Sequence, residues 1–473
     1  MSAAGCFPGK INYPVKPRRY MTKSTPEPNP TKTPRSPDQS TITSAVDILE
    51  GTSKKWGLAR LLPFIGPAFI AAIAYVDPGN YATNIQAGAR FGYLLLWVIL
   101  ASNLAAMVMQ SLSAKMGIAS GRNLAEVIRD HYPPWARYFM WVLMEIVAMA
   151  TDLAEFLGAA LGLYLLLQTP FLKFAQLTGL PVLLLPAILA GIFTFVILTL
   201  ERSGFRSLEI IITSFIGVIA VSYLIEVIMS KPDWGQIAYH AVVPQFAGTE
   251  SVVLAVGILG ATVMPHAIFL HSGLTQGRIV TRKPELLRRL YRFEIMDILI
   301  AMSIAGLVNM AMLIMAASTF YANGLRDVAT IEQAYKTLVP LLGGAASFIF
   351  ALSLFASGQS SSAVGTMAGQ IMMQGFVHWY IPVWLRRILV MLPAFIVIIL
   401  RWNPTATLVL SQVVLSFGLP FAIVPLVVFT NRKDIMGVLA NDRKTTVIAS
   451  IISALIIALN LFLLYQIIFG SGI

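Results

Sequence analysis

Two short stretches of the chain hold residues suited to cation chemistry. One reads Ala74-Tyr75-Val76-Asp77-Pro78-Gly79-Asn80 and the other Ala261-Thr262-Val263-Met264-Pro265-His266. Proline lacks a backbone donor and clashes with the preceding turn, and Gly79 lowers the cost of non-helical geometry. Each stretch therefore breaks a helix and frees carbonyls. The side chains at the breaks are the Asp77 carboxylate, the Asn80 amide and the Met264 thioether. Asn80 stands three residues after Asp77, close enough to face the same centre. Carbonyls of Ala74 and Ala261, each three residues before its anchor, can add hard oxygens, and Gln412 a further amide oxygen. Carboxylate and carbonyls alone suit Mg²⁺ or Ca²⁺. A thioether gains little from those hard ions and favours softer metals such as Mn²⁺ and Fe²⁺. Elsewhere Met264 would read as one of 20 methionines that fill gaps; beside Pro265 and opposite the Asp77 break it reads as a ligand.

A second group suits proton movement. Glu145, Asp152 and Glu155 are spaced by seven and three residues, which puts them on one helical stripe. Acids lined up within a membrane helix mark proton relays, the alternative being that each is paired structurally. Arg386 and Arg387 can ion-pair with them, although for one of the two a snorkelling arginine at a helix end is the plainer expectation. His266 can mediate between Asp77 and this stripe, since histidine changes charge near working pH. It can equally be a neutral hydrogen-bonding group that orients the break.

These residues need elements to hold them, and composition says which. Charged residues make up 12% of the 473, against about 25% in soluble proteins, so soluble enzymes and secreted scaffolds fit poorly. One cysteine, Cys6, excludes a disulfide framework and a Cys-based zinc site. Eleven apolar runs can be marked: Leu61 to Ala87, Tyr93 to Ser113, Tyr138 to Leu167, Leu183 to Leu200, Leu208 to Met229, Val252 to Leu274, Phe293 to Thr319, Leu338 to Met373, Ile388 to Trp402, Thr407 to Phe429 and Val447 to Phe469. Most reach the ~20 residues that a helix needs to cross a bilayer. The ninth is short, and Trp384 and Leu385 could extend it. Backbone groups in lipid must be satisfied within the segment, so these runs predict helices. The chain reads as an all-α integral protein of the cell membrane, plasma or bacterial inner, with the lipid bilayer as its surroundings.

The net charge of +12 does not signal nucleic acid, because lysine and arginine fall into alternate loops. With the N-terminus cytoplasmic, 28 of the 34 lie in inside segments, as the positive-inside rule expects. Eleven spans then put the C-terminus outside. Residues 1–56 read as a disordered basic cytoplasmic tail: its first ~50 residues hold eight prolines, from Pro8 to Pro37, and no apolar run. The tail lacks the apolar stretch of a secretory signal, and contact with anionic lipid is its other reading. Residues 57–473 read as one transmembrane domain.

Interrupted spans at matching positions in two halves are the best sequence pointer to a transporter site. Pro78 and Pro265 lie in the first and sixth helices, as two inverted five-helix repeats require, with repeat one about 57–230, repeat two about 250–431 and one extra helix about 445–470. For Pro393 a simple kink suffices. For Pro78 it does not, because a central aspartate costs roughly 2.5–3.5 kcal/mol on insertion scales.

At these residues the chain resembles the Nramp family of proton-coupled divalent metal transporters. Asp77-Pro78-Gly79-Asn80 and Met264-Pro265-His266 match the family's signature, and the likeness continues through Ala148 to Phe156, His271-Ser272, Gln359 to Gly365 and Gln412, covering roughly Gly57 to the C-terminus. The resemblance implies a LeuT-type inverted-repeat fold, import of Mn²⁺ or Fe²⁺ by proton symport, and no separate cofactor. It also implies ligation by Asp77, Asn80, Met264 and the Ala74 and Ala261 carbonyls, with Gln412 joining in some states. Matching acids, His266 and an arginine would shape the proton path. Ala267 stands where the family often has asparagine, outside the implied ligand set. A related branch that carries Mg²⁺ lacks the methionine.

Other classes fit less well. His266 and His271 lie about 140° apart around a helix, and no His-Glu-x-x-His is present, so a metalloprotease is not expected. A passive divalent cation channel lacks a use for the acid stripe. An amino-acid carrier of the same fold holds its substrate carboxylate with helix N-termini, where Asp77 would repel it. No obligate protein partner is evident.

Overall fold

The computed structural model describes residues 37–54, 56–201, 205–279, 281, 283–328 and 330–469. It is all-helical, with no strand among them. The helices are α1 (Pro37–Glu50), α2 (Pro67–Ile73), α3 (Pro78–Phe91), α4 (Leu96–Ser120), α5 (Leu124–His131), α6 (Pro134–Leu166), α7 (Gln168–Thr178), α8 (Leu184–Glu201) and α9 (Phe205–Ser230). They continue as α10 (Trp234–Val242), α11 (Thr249–Thr262), α12 (Pro265–Thr275), α13 (Pro284–Thr319), α14 (Ile331–Leu342), α15 (Gly344–Val377), α16 (Val383–Ile399), α17 (Pro404–Thr430), α18 (Lys433–Met436) and α19 (Arg443–Phe469). Among the described residues, eight units are long and apolar enough to cross a bilayer: α4, α6, α9, α11 with α12, α13, α15, α17 and α19. The expected first, fourth and ninth spans correspond to shorter pieces, namely α2 with α3, α8, and α16.

Two boundaries differ from expectation. The apolar run from Leu338 to Met373 is two elements, because Gly343 takes φ 90° between α14 and α15, a conformation that glycine adopts without steric cost. Within the supposedly unstructured residues 1–56, Pro37–Glu50 is the helix α1. Ala45, Ile48 and Leu49, spaced three and one apart, form one buried face against Phe64 and Leu290. Pro37 is the first residue of α1, where proline is tolerated; residues 1–36 of the expected tail, with Cys6 and the other seven prolines, and the inside-loop Arg202 lie outside the described residues. Pro393 sits inside α16, which runs on through it.

The centre of the bundle is built on small residues. A Cβ at Gly162 would run into the Phe355 backbone, one at Gly358 into the Ala159 backbone, and one at Gly158 into the Pro78 ring. Glycines thus let α6 and α15 pack backbone to backbone, as membrane helices do in the absence of a hydrophobic drive between them. The same contact seats the first break, at Pro78, against α6. Gly358→Val should therefore cost about 1–3 kcal/mol by overpacking, seen as a lower thermal midpoint in detergent. Gly217→Ala, where a Cβ meets nothing within 4 Å, should hold or raise it.

Candidate metal centre

The two breaks have the same local grammar. The first span runs as α2, then a 3₁₀ turn over Ala74–Val76, then Asp77 in extended geometry (φ −91°, ψ 164°), then α3 beginning at Pro78. In the other, α11 ends at Thr262, Val263 and Met264 are extended, and α12 begins at Pro265. Proline is well placed at a helix's first position because its missing N–H would be unsatisfied there anyway. The breaks therefore double as proper helix starts.

Asp77 caps α3. Its Oδ2 accepts from Gly79 N at 3.1 Å and its Oδ1 from Asn80 N at 3.0 Å. Asn80 Nδ2 donates to Asp77 Oδ1 at 2.6 Å and to the Ala261 carbonyl at 2.9 Å, tying one break to the other. From α17, Gln412 Nε2 reaches Asp77 Oδ2 at 3.5 Å. The approach is so close that a Cβ on Gly79 would overlap the Gln412 amide. Asp77, Asn80, Ala261 and Gln412 thus converge, and all are buried. Met264 is fully buried at the start of α12, three residues after Ala261. Ala74 lies one turn before Asp77, at the C-terminal end of α2.

The oxygen inventory is informative. Asn80 Oδ1 and Gln412 Oε1 have no hydrogen-bond partner, while both NH₂ groups point at Asp77. Rotation of either amide about its terminal torsion would offer oxygen to a cation beside the carboxylate. The ends of α2 and α11 contribute the negative poles of two helix dipoles to the same place. Nearby carbonyls are already used: Asn309 Nδ2 donates to Tyr75 O at 2.7 Å and Ser357 Oγ to Val76 O at 2.6 Å. Among the described residues no group of three or more His, Cys, Asp or Glu gathers as a metal cage, so a centre here would depend on backbone, amide and thioether donors.

The acid stripe lies on α6 beside the break. Arg387 is fully buried; it donates to Asp152 Oδ1 at 3.5 Å, Ser362 Oγ at 2.5 Å, and Thr366 Oγ1 and Thr194 Oγ1 at 3.4 Å each. Arg386 pairs with Glu145 Oε2 at 2.8 Å, and Trp141 Nε1 donates to Glu145 Oε1 at 3.2 Å. Neither arginine snorkels at a free helix end. Glu155 and Asp152 both lie where a Cβ on Gly365 would sit, yet both Glu155 oxygens and Asp152 Oδ2 lack hydrogen-bond partners. His266 Nδ1 meets Thr151 Oγ1 at 3.3 Å, and that hydroxyl donates to Val147 O, so the ring nitrogen is the donor. His266 therefore touches the stripe at the residue next to Asp152.

Other polar groups at the breaks were not anticipated. His271 points away from His266, bonding Gln110 Oε1 at 2.8 Å and Glu294 Oε1 at 3.0 Å, while Gln110 Nε2 donates to the Tyr75 hydroxyl at 2.6 Å. Asp297 Oδ2 accepts from Gly66 N at 3.1 Å and Ala68 N at 3.0 Å, capping α2 from α13. Glu294 and Asp297, three residues apart at the start of an apolar run, were the sequence signal for this network. Asn309 and Ser357 left none, since each looks like an ordinary polar residue in a long helix.

Comparison with known proteins bears on this geometry. A family model described as natural resistance-associated macrophage protein-like matches residues 68–466. The divalent metal cation transporter MntH of Deinococcus radiodurans is 52% identical over 441 residues, covering 93% of this chain and 98% of that protein. MntH of Bacillus subtilis is 48% identical over 432 residues, covering 91% and 97%. A crystal structure of the Eremococcus coleocola manganese transporter, in complex with an aromatic bis-isothiourea compound, is similar with TM-score 0.78 and 32% identity, over 89% of this chain and 91% of that one. MHP1, a nucleobase-cation-symport-1 family transporter in a closed conformation, has TM-score 0.57 at 12% identity over 86% and 93%, a likeness of fold alone. With the family model matched over most of its length and about half its residues shared with MntH proteins, the chain belongs to the Nramp family.

Proposed function

We propose that this protein imports divalent transition metal ions, Mn²⁺ and Fe²⁺ foremost, in symport with protons. It is a transporter and not an enzyme. The observation that carries the reading is the meeting of Asp77, Asn80, the Ala261 carbonyl and Gln412 at the junction of two interrupted helices. Eleven spans, a LeuT-type pair of inverted repeats plus one helix, a cytoplasmic N-terminus and an external C-terminus complete the architecture that we infer. The loop charge bias and the matched positions of the breaks support it.

In this reading the cation sits where the C-terminal ends of α2 and α11 present the Ala74 and Ala261 carbonyls. Asp77 supplies the negative charge, Asn80 and Gln412 turn their oxygens inward, and Met264 supplies sulfur. Oxygen ligands serve hard and borderline ions alike, whereas the thioether favours transition metals over Ca²⁺ and Mg²⁺. The proton takes a separate way along α6. Asp77 or its neighbours pass it toward Asp152 and Glu155, with Arg387 balancing the charge and Thr151 joining His266 to the stripe. Glu145 and Arg386 lie two turns nearer the start of α6, about 10 Å along the helix, and lead the path to the cytoplasm. The half-helices then rock between outward-open and inward-open states around the site.

Three measurements in proteoliposomes test this. Mn²⁺ uptake against its own gradient should follow an imposed pH gradient and collapse with a protonophore; purely downhill flux indifferent to the protonophore would contradict symport. Met264→Ala should admit Ca²⁺, narrowing the Mn²⁺/Ca²⁺ preference about tenfold, equal to about 1.4 kcal/mol of differential binding, with a smaller loss of Mn²⁺ uptake; an unchanged preference would remove the thioether from the selectivity argument. Asp152→Asn should leave Mn²⁺ binding by calorimetry within about threefold, because Asp152 touches no proposed ligand, and should abolish stimulation of uptake by acid on the loading side.

A further inference from the structure

Glu226 is a further buried acid in a long apolar helix, and nothing above uses it. It lies in α9, fully buried, and neither carboxyl oxygen has a hydrogen-bond partner. Tyr223 shares its helix face one turn earlier, since residues three apart are neighbours on a helix surface. Tyr81 of α3 packs edge-on against the Tyr223 ring at 5.4 Å and also against Phe350 of α15 at 6.2 Å. Ser353, one turn beyond Phe350, lies beside both tyrosine hydroxyls, and Glu226 is near enough for its charge to act on both. The Tyr81 and Tyr223 hydroxyls have no hydrogen-bond partner of good geometry. Four side chains from three helices therefore form a closed polar cluster whose capacity for hydrogen bonds is largely unused.

Among the described residues no charged group answers Glu226. Along its whole length α15 carries no titratable residue, nor does α2. In α8 the one acid is at residue 201, the last position of the helix. The acids nearest along α13 are Asp297 and Glu294. Ser318 Oγ of α13 donates to Ser230 Oγ at 2.8 Å, which sets Glu226 level with the stretch near residue 314, about 25 Å from Asp297 at 1.5 Å per residue. Asp47 and Glu50 of α1 meet α9 near its opposite end, where Glu209 pairs with Arg278. On α3, Asp77 is held by Gly79 and Asn80, and Arg90 pairs with Glu250. Lys231 and Asp233 follow the end of α9 and are exposed. An ionised carboxylate amid only hydroxyls and rings is expensive; a protonated acid can donate to a tyrosine or serine oxygen instead.

We propose that Glu226, with Tyr81, Tyr223 and Ser353, is a proton-binding site separate from the acid stripe of α6. Its link to transport rests on the reading above. Tyr81 directly follows Asn80, so the same half-helix carries the amide at the metal centre and the phenol in this cluster. A shift of α3 that accompanies metal binding changes what the Glu226 carboxyl can donate to, and proton occupancy of the cluster in turn biases the position of α3.

Infrared difference spectroscopy on the purified full-length protein, with and without Mn²⁺ at fixed pH, reads this directly. The wild type should show a change in the C=O stretch of a protonated carboxylic acid; that feature should be lost in Glu226→Gln and shifted in frequency in Tyr223→Phe, which removes one hydroxyl partner. A difference spectrum in which the acid feature is the same in wild type, Glu226→Gln and Tyr223→Phe overturns the proposal, as does the absence of such a feature in the wild type. Should Glu226→Gln fail to fold, the Tyr223→Phe shift decides alone. Asp152→Asn run alongside separates the two ideas: proton-driven uptake that survives Asp152→Asn counts against the α6 route, whatever the Glu226 spectra show.

Discussion

A helix broken inside a bilayer exposes backbone groups that water cannot reach, and each needs an answer from the protein. Much of the polar structure here is that set of answers. Asp297 takes two N–H groups at the start of α2; Asn309 and Ser357 take the carbonyls of Tyr75 and Val76; Asp77 takes the first N–H groups of α3. What remains at the junction is a carboxylate whose two oxygens are shared among amide donors, two amide oxygens without partners, and the carbonyl ends of two half-helices. A cation would complete that arrangement better than another side chain. The distribution of satisfied and unsatisfied groups, more than any one residue, is what supports the proposed site at the junction.

The same constraint governs the charged groups beside the break. Beside the break, α6 carries Asp152 and Glu155 against Arg387, which draws its other hydrogen bonds from Ser362, Thr366 and Thr194. Burying an arginine so completely is tolerable only when its donors are used and its charge is matched. Close glycine packing of α6 on α15 brings Ser362 and Thr366 within reach, so the helix contact that stabilises the bundle also builds the electrostatic surroundings of the acids.

Much of this was legible in the sequence because the signals are local. Asp-Pro-Gly-Asn and Met-Pro-His announce interrupted helices within a few residues, and the spacing of Glu145, Asp152 and Glu155 follows from helical periodicity alone. Their arginine partners lay in a separate run, yet only charge sign was needed to suggest the pairing, and Arg386 with Glu145 and Arg387 with Asp152 is how they stand. The answering groups were less legible. Asn309 and Ser357 act across 234 and 281 residues of sequence, and nothing in their own neighbourhoods distinguishes them from packing polar residues. The helix α1 was missed for a different reason: averaging composition over a proline-rich tail hid the Ala45, Ile48, Leu49 face at its end. Gly343-Gly344 after Pro340 did mark the division of α14 from α15, but hydropathy carries straight across it.

The central claim is that both interrupted helices contribute ligands to one metal ion. X-ray absorption at the manganese K-edge of the Mn²⁺-loaded protein tests it most directly. The account predicts a shell of oxygen donors plus one sulfur scatterer, with the sulfur lost in Met264→Ala and the oxygens kept. A shell of oxygen or nitrogen alone in the wild type, unchanged by that substitution, would contradict it.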